Sequence, residues 1–209
     1  LSASPSSSLK EEKNAMSVWM KAHANLYTLE EYLALESASD RRHEFWYGEI
    51  FAMSGGSKEH ARIATNVVGE CYRQLLDTPC RPITENGAVK NTLAPRPDWP
   101  SFVYPDASVV CGEPVYETIR GMDVLVNPTV IFEVVSPTSA IRDAGDKLII
   151  YTANPSVRHY FIIESETVCV THWRRGADGL WTKETHCEAD RVVRIESPNL
   201  ELALQRLYA

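Results

Sequence analysis

The stretch whose reading decides the fold is "VIFEVVSPTS", residues 130–139. Val130, Ile131 and Phe132 lead into Glu133, and Val134 and Val135 follow it. A short apolar run bounded by turn residues predicts a buried strand. A carboxylate in the middle of such a strand needs a reason, because an isolated buried charge is expensive. A second carboxylate has a similar setting: in "FVYPDASVVC" (102–111), Pro105-Asp106 precedes the strand-like "ASVVC". If these two strands are neighbours, Asp106 and Glu133 can converge on one side of a sheet. Two buried carboxylates repel, so each needs a raised pKa or a cation between them. Mg²⁺ takes oxygen ligands, commonly one or two carboxylates plus substrate phosphate. The backbone carbonyl of Val134 would supply another oxygen. The plainer reading has Asp106 capping a turn after Pro105 and Glu133 paired with a basic residue at a strand edge. For either residue alone the two readings stand level; for both together on adjacent strands, metal binding is favoured.

Downstream, "SPTSAIRDAGDKLIIYTANP" predicts a loop and then a helix from about Ala140 to Ala153, stopped by Asn154-Pro155. Asp143, Lys147 and Tyr151 fall at i, i+4 and i+8 on one face of it. The plain reading is a surface Asp143–Lys147 ion pair. The functional one turns this face toward the Glu133 strand and delivers an ammonium that steadies phosphate charge or orients a water. His60, third after a Ser57 cap, is more often a half-buried packing residue than a catalyst. Glu44 and Glu49 flank "FWYG"; one of them is a candidate third acidic ligand, with exposure on a hairpin as the default. Trp99, Trp173 and Trp181 can stack on bases, but packing is the commoner use of any one of them. No G-x-S-x-G elbow supports a serine hydrolase. His186-Cys187 gives a cysteine nucleophile only weak support, with no evident acidic orienter.

The 209 residues carry a formal net charge of −7, with 44% hydrophobic and 23% charged residues, an ordinary globular composition. That length suits one α/β or α+β domain. No apolar run approaches the roughly 20 residues of a membrane span. "LSASPSSSLKEEKNA" (1–15) reads as a cloning-derived or disordered leader, with one domain over 16–209. The five cysteines, Cys71, Cys80, Cys111, Cys169 and Cys187, are odd in number and lack C-x-x-C spacing, which predicts neither a disulfide framework nor a zinc site. A cytoplasmic location fits. Net acidity argues against broad nucleic-acid binding. It leaves room for a local basic rim, for which Arg41, Arg42, Lys58, Arg62, Lys90, Arg96 and Arg142 are the candidates.

The remaining segments fill in a layout. "YTLEEYLAL" opens a helix with a capping box, Thr28 with Glu31, and Tyr27 and Tyr32 could staple it. "HEFWYGEIFAMS" (43–54) reads as a hairpin. Ala64, Val67, Val68, Cys71 and Leu75 mark the apolar stripe of a helix from Ser57 to about Leu76. "RPITENGAVKN" and "RHYFIIES" read as strands, 112–128 as a polar loop, and 167–196 as a β-meander turning at "RGADG". A short helix is expected near Ser197-Pro198. The sum is an α/β (α+β) protein: a mixed central sheet flanked by helices, with an N-terminal hairpin and a C-terminal β-meander.

In this order, "HEFWYGEIFAMSGGSKEH", "YPDASVVC", "IFEVVSPTS", "DAGDKLIIY" and "RHYFIIES" resemble the Uma2 family of restriction-endonuclease-like proteins, over roughly residues 26–209. The resemblance implies the PD-(D/E)xK nuclease fold and Mg²⁺-dependent (or Mn²⁺-dependent) hydrolysis of phosphodiester bonds. It matches Asp106 to the motif aspartate and Glu133 to the acidic residue of the (D/E)xK strand. Val135 stands where that motif has lysine, and Lys147 on the following helix matches the position thought to replace it. Glu44 and His60 match positions where the family also has Glu and His. The implied activity is a metal-dependent DNA endonuclease, with a homodimer as the arrangement that reaches both strands. The rival expectation is an inactive nuclease-fold module that binds nucleic acid or a protein partner.

Overall fold

The computed structural model describes residues 26–40, 43–46, 49–52, 57–93, 102–119, 121–136 and 143–209; the predicted leader lies outside them. The chain divides into two compact units, Leu1–Met53 and Ser54–Ala209.

In the first unit, helix α1 (Leu29–Ala38) starts on the predicted box: Thr28 Oγ1 accepts from the Glu31 N–H, and Glu31 accepts from the Thr28 N–H at 2.7 Å. Strands β1 (His43–Trp46) and β2 (Glu49–Ala52) pair as the expected antiparallel hairpin. Tyr32 is fully buried, stacks on Phe45 at 5.1 Å and donates to the His43 carbonyl at 2.8 Å. Tyr27 is half exposed, so this anchoring replaces the expected staple.

The second unit is built on a six-stranded sheet in the order β12-β11-β10-β9-β6-β3. Its members are β3 (Cys80–Thr84), β6 (Ala107–Cys111), β9 (Val130–Val135), β10 (His159–Glu164), β11 (Val170–Arg175) and β12 (Trp181–His186). All pairings are antiparallel except β9–β10, whose parallel register needs a crossover. That crossover contains a π turn, Asp143–Lys147, running into helix α3 (Leu148–Ala153). The expected helix from Ala140 is therefore a different object where it is described, and residues 137–142 lie outside the described set.

Helix α2 (Lys58–Leu75) covers one face of this sheet. Ile63, Val67, Cys71 and Leu75 are its buried stripe and join Ala107, Val109, Val130, Phe132, Val134, Phe161 and Ile163 in the core. Each such apolar side chain contributes about 1.5–3 kcal/mol by leaving water. The same core takes in a hairpin, β13 (Val192–Glu196) with β14 (Asn199–Ala203), and helix α4 (Leu204–Leu207). Here the expected helix at Ser197-Pro198 is corrected. Those residues form the hairpin turn, because Val193, Ile195, Leu200 and Leu202 are buried with the period of two that a strand requires. The expected loop at 112–128 is corrected as well: β7 (Tyr116–Ile119) and β8 (Met122–Leu125) form a hairpin around Gly121, whose φ is +87°. With β4 (Val89–Lys90) and β5 (Phe102–Val103) it makes a second, four-stranded sheet. Exposed polar residues along β7 hid the strand signal. The "RGADG" turn joins β11 to β12 as expected, with Gly179 at φ +82°.

The cysteine expectation is overturned too. Cys80 is bonded to Cys111 and Cys169 to Cys187, leaving Cys71 free and buried among the described residues. Cys80 and Cys111 are register partners on β3 and β6, and Cys169 and Cys187 flank the Val170–His186 pair of β11 and β12. Cross-strand neighbours are far apart in sequence, so linear spacing could not reveal them. No helix among the described residues is long and apolar enough to cross a membrane.

Candidate active site

Alternation along β9 sends Val130, Phe132 and Val134 into the α2 core and turns Ile131, Glu133 and Val135 to the opposite face. Glu133 is 2% exposed there, and Lys147 is 4% exposed. The Lys147 ammonium lies 3.2 Å from Oε1 and 3.3 Å from Oε2 of Glu133. Tyr151, fully buried one helical turn further on, donates to Oε1 at 2.8 Å. The i, i+4 spacing of Lys147 and Tyr151 is what lets both reach one carboxylate. The π turn ends at Lys147, the residue that starts α3. Such turns recur at functional sites.

Asp106 sits one residue before β6. The β6–β9 register pairs Ala107 with Phe132 and Ser108 with Ile131, so one further step sets Asp106 opposite Glu133. The Asp106 side chain takes over where the ladder stops: Oδ2 accepts from the Val134 N–H at 2.6 Å, a short charge-assisted bond. Its other oxygen, Oδ1, lies 3.2 Å from His60 Nε2. His60 is in the first turn of α2, where Ser57 Oγ accepts from the His60 N–H at 3.2 Å. The cap therefore sets where the imidazole can reach.

The structure thus makes two adjoining clusters, Asp106 with His60 and Glu133 with Lys147 and Tyr151, joined through consecutive residues of β9. Glu44 lies on β1 of the other unit, with its side chain outside the described residues. Among the described residues, no three or more His, Cys, Asp or Glu side chains gather as a ready cage for a metal. Tyr151 was visible in the sequence only as a member of the Lys147 face; a tyrosine at i+4 from a lysine gives no sign by itself of binding a carboxylate.

Other expectations resolve differently. Lys90 pairs with Glu117, Lys58 lies 3.6 Å from Glu59, and Arg62 donates to the Tyr208 and Ala209 carbonyls. Arg41, Arg42, Arg96, Arg142 and Trp99 lie outside the described residues. Trp173 and Trp181 lie under Lys183 and Arg175, at 5.7 and 4.8 Å. Cys187 is held in a disulfide, which removes it as a nucleophile.

Comparison with known proteins adds to this geometry. The model of the Uma2 family, described as "Putative restriction endonuclease", matches residues 29–205. The chain belongs to the Uma2 family. Two relatives come from Synechocystis sp. (strain ATCC 27184 / PCC 6803 / Kazusa). Uncharacterized protein slr1290 is 28% identical over 86% of this chain and 90% of its own length. Uncharacterized protein sll1609 is 28% identical over 77% of this chain and 87% of its own. A crystal structure from Anabaena variabilis ATCC 29413, described as "a putative nuclease belonging to DUF820", superposes with a TM-score of 0.67. It is 19% identical and covers 87% of this chain and 97% of that one. This Uma2 chain shares its fold with that structure.

Proposed function

We propose that this Uma2 protein is a metal-dependent endonuclease that hydrolyses phosphodiester bonds of DNA. The observation that supports the reading is the register that sets Asp106 opposite Glu133 on neighbouring strands, with Lys147 drawn to Glu133 from the next helix. The donor set suits a hard cation: two carboxylates and the Val134 carbonyl are all oxygen donors, and Mg²⁺ needs few protein ligands when water and substrate phosphate complete its shell. Asp106, Glu133 and Val134 would hold Mg²⁺ or Mn²⁺, which when bound supplies charge neutralisation at the scissile phosphate and a lowered water pKa.

The chain's own residues do the positioning. Asp106 is fixed by the Val134 N–H, so its second oxygen has a set direction. His60 holds a proton-exchanging nitrogen 3.2 Å from that oxygen. Lys147 orients Glu133 and places a positive charge where phosphate charge develops. Tyr151 fixes the same carboxylate from the other end of the turn. Cutting both strands of a duplex calls for two such sites, so a homodimer accompanies the reading.

A second reading, an inactive nuclease fold that binds nucleic acid or a protein partner, draws on the burial of Glu133 beneath Lys147 and Tyr151. Titration with Mn²⁺ separates the two. The endonuclease reading expects saturable binding that Asp106→Asn removes; equal Mn²⁺ binding in both proteins, or none in either, would favour the inactive module.

A further inference from the structure

On β11 and β12 the α2-side face of the sheet changes character. Val170 is part of the core, but the next positions on that face are His172 and Arg174, and on the neighbouring strand His186 lies opposite Val170 and Glu184 opposite His172. Strand β13 roofs them incompletely. A cavity of about 300 Å³ remains, lined by His172, Arg174, Glu184 and His186 from the sheet and by Arg191 and Arg194 from the segment opposite. That is room for roughly ten waters at about 30 Å³ each, and lies at the lower end of the usual size of small-ligand sites.

Its charge is unlike that of the rest of the chain. Three arginines line the space in a protein whose formal net charge is −7. Arg194 gives its Nε to Glu201 at 2.7 Å. Arg174 and Arg191 have no carboxylate partner among the described residues. Glu184 is the one carboxylate on the lining, lying 3.5 Å from His186 Nε2. His186 is 8% exposed, and beyond that long contact its buried Nε2 makes no hydrogen bond among the described residues. A buried ring nitrogen with so long a contact is rarely left without water or a bound group to complete it. Behind it, His172 Nε2 and His159 Nδ1 are 3.0 Å apart and the His172 ring is stacked on Phe161 at 4.2 Å, which fixes the back wall.

We propose that this cavity binds a phosphate group, with Arg174, Arg191 and Arg194 supplying the charge and His186 a further hydrogen-bonding partner. Planar guanidinium forks suit phosphate oxygens better than any other common side chain. The phosphate can belong to a small molecule or to a nucleic-acid backbone, and only the second source rests on the nuclease reading.

The test uses the full chain at fixed ionic strength. Inorganic phosphate is titrated calorimetrically into the wild type, Arg174→Gln, Arg191→Gln, Glu184→Gln and, as a control, Arg81→Gln on distant β3. Arg174 and Arg191 are exposed, so their substitution leaves the fold intact. The proposal expects saturable binding, weakened about tenfold or more in each cavity arginine variant. It expects tighter binding in Glu184→Gln, where a repelling charge is gone, and no change in Arg81→Gln. Absence of saturable binding by the wild type, or equal binding in all variants, overturns it. Weaker binding in Glu184→Gln also overturns it, since removing a negative charge from the lining should favour an anion. A second arm measures a short labelled duplex against salt. If the backbone is the source, the salt slope falls by about one unit in Arg191→Gln. If phosphate binding falls while the slope holds, the ligand is a small phosphate compound. Cleavage is not read in either arm, so failure here and failure of the nuclease reading remain distinct.

Discussion

Replacing Lys147 with methionine tests the Glu133 cluster directly. Both side chains are almost fully buried, 5% and 3% exposed, and the ammonium lies within 3.3 Å of both carboxylate oxygens. Water cannot substitute for the lost charge. Removing one partner of a buried pair costs about 3–5 kcal/mol, because the remaining charge stays desolvated. Tyr151 still donates to Oε1, which places the expected loss toward the lower end. For a unit of this size each kcal/mol moves Tm by about 2–4 °C, so Lys147→Met should melt roughly 6–20 °C below the wild type. The double variant Glu133→Gln/Lys147→Met should recover most of that loss, since replacing both charges is often neutral. Scanning calorimetry with a matched urea titration reads both. A Lys147→Met protein within about 1 kcal/mol of wild type, or a double variant no better than the single, would refute the buried-pair argument.

Three further outcomes follow from particular contacts. Tyr151→Phe removes only a hydroxyl that serves a buried carboxylate and should cost about 1.5–3 kcal/mol in urea unfolding, with the far-UV spectrum unchanged. Thr28→Ala removes the hydroxyl that accepts from the Glu31 N–H, leaves the backbone N–H bond to the Glu31 side chain, and should cost about 1 kcal/mol, seen as lost protection of the first-turn amides in hydrogen exchange. Burial, chiefly, holds His159 near pKa 4 and His172 near 3, below the ordinary 6.5. The unfolded chain therefore takes up protons below about pH 6.5 that the folded chain refuses, and stability should fall as pH drops from there toward 4 and then 3. Urea midpoints measured across that range should show the decline, and His159→Gln/His172→Gln should flatten it; parallel pH profiles would contradict the assignment.

The sequence was most legible where local signals and burial agree. The α1 box, the α2 stripe and the runs that became β6, β9 and β10 each follow from a period or a cap. The Asp106–Glu133 neighbourhood was legible for a related reason: a carboxylate inside or just ahead of an apolar strand stands out against its surroundings. What the sequence hid depends on partners distant along the chain. The Val134 N–H bond to Asp106 and the cysteine pairings arise from strand register, which no linear spacing encodes. Ser197-Pro198 suits a first helical turn as well as a hairpin turn, and only the burial of Val193, Ile195, Leu200 and Leu202 decides between them. No spacing or composition singles out the arginines of the β11–β13 cavity in the sequence. Their convergence is a product of β13 folding over the sheet.

Plasmid nicking with Mg²⁺ and with Mn²⁺ tests the central claim most directly, comparing wild type, Glu133→Gln, Lys147→Ala and Asp106→Asn purified in parallel. Folding of each variant is checked by its melting curve. The account predicts nicking by the wild type that chelation abolishes, with near-complete loss in Asp106→Asn and Glu133→Gln and a large loss in Lys147→Ala. Equal nicking by all four proteins, or none by the wild type with either metal, would contradict it.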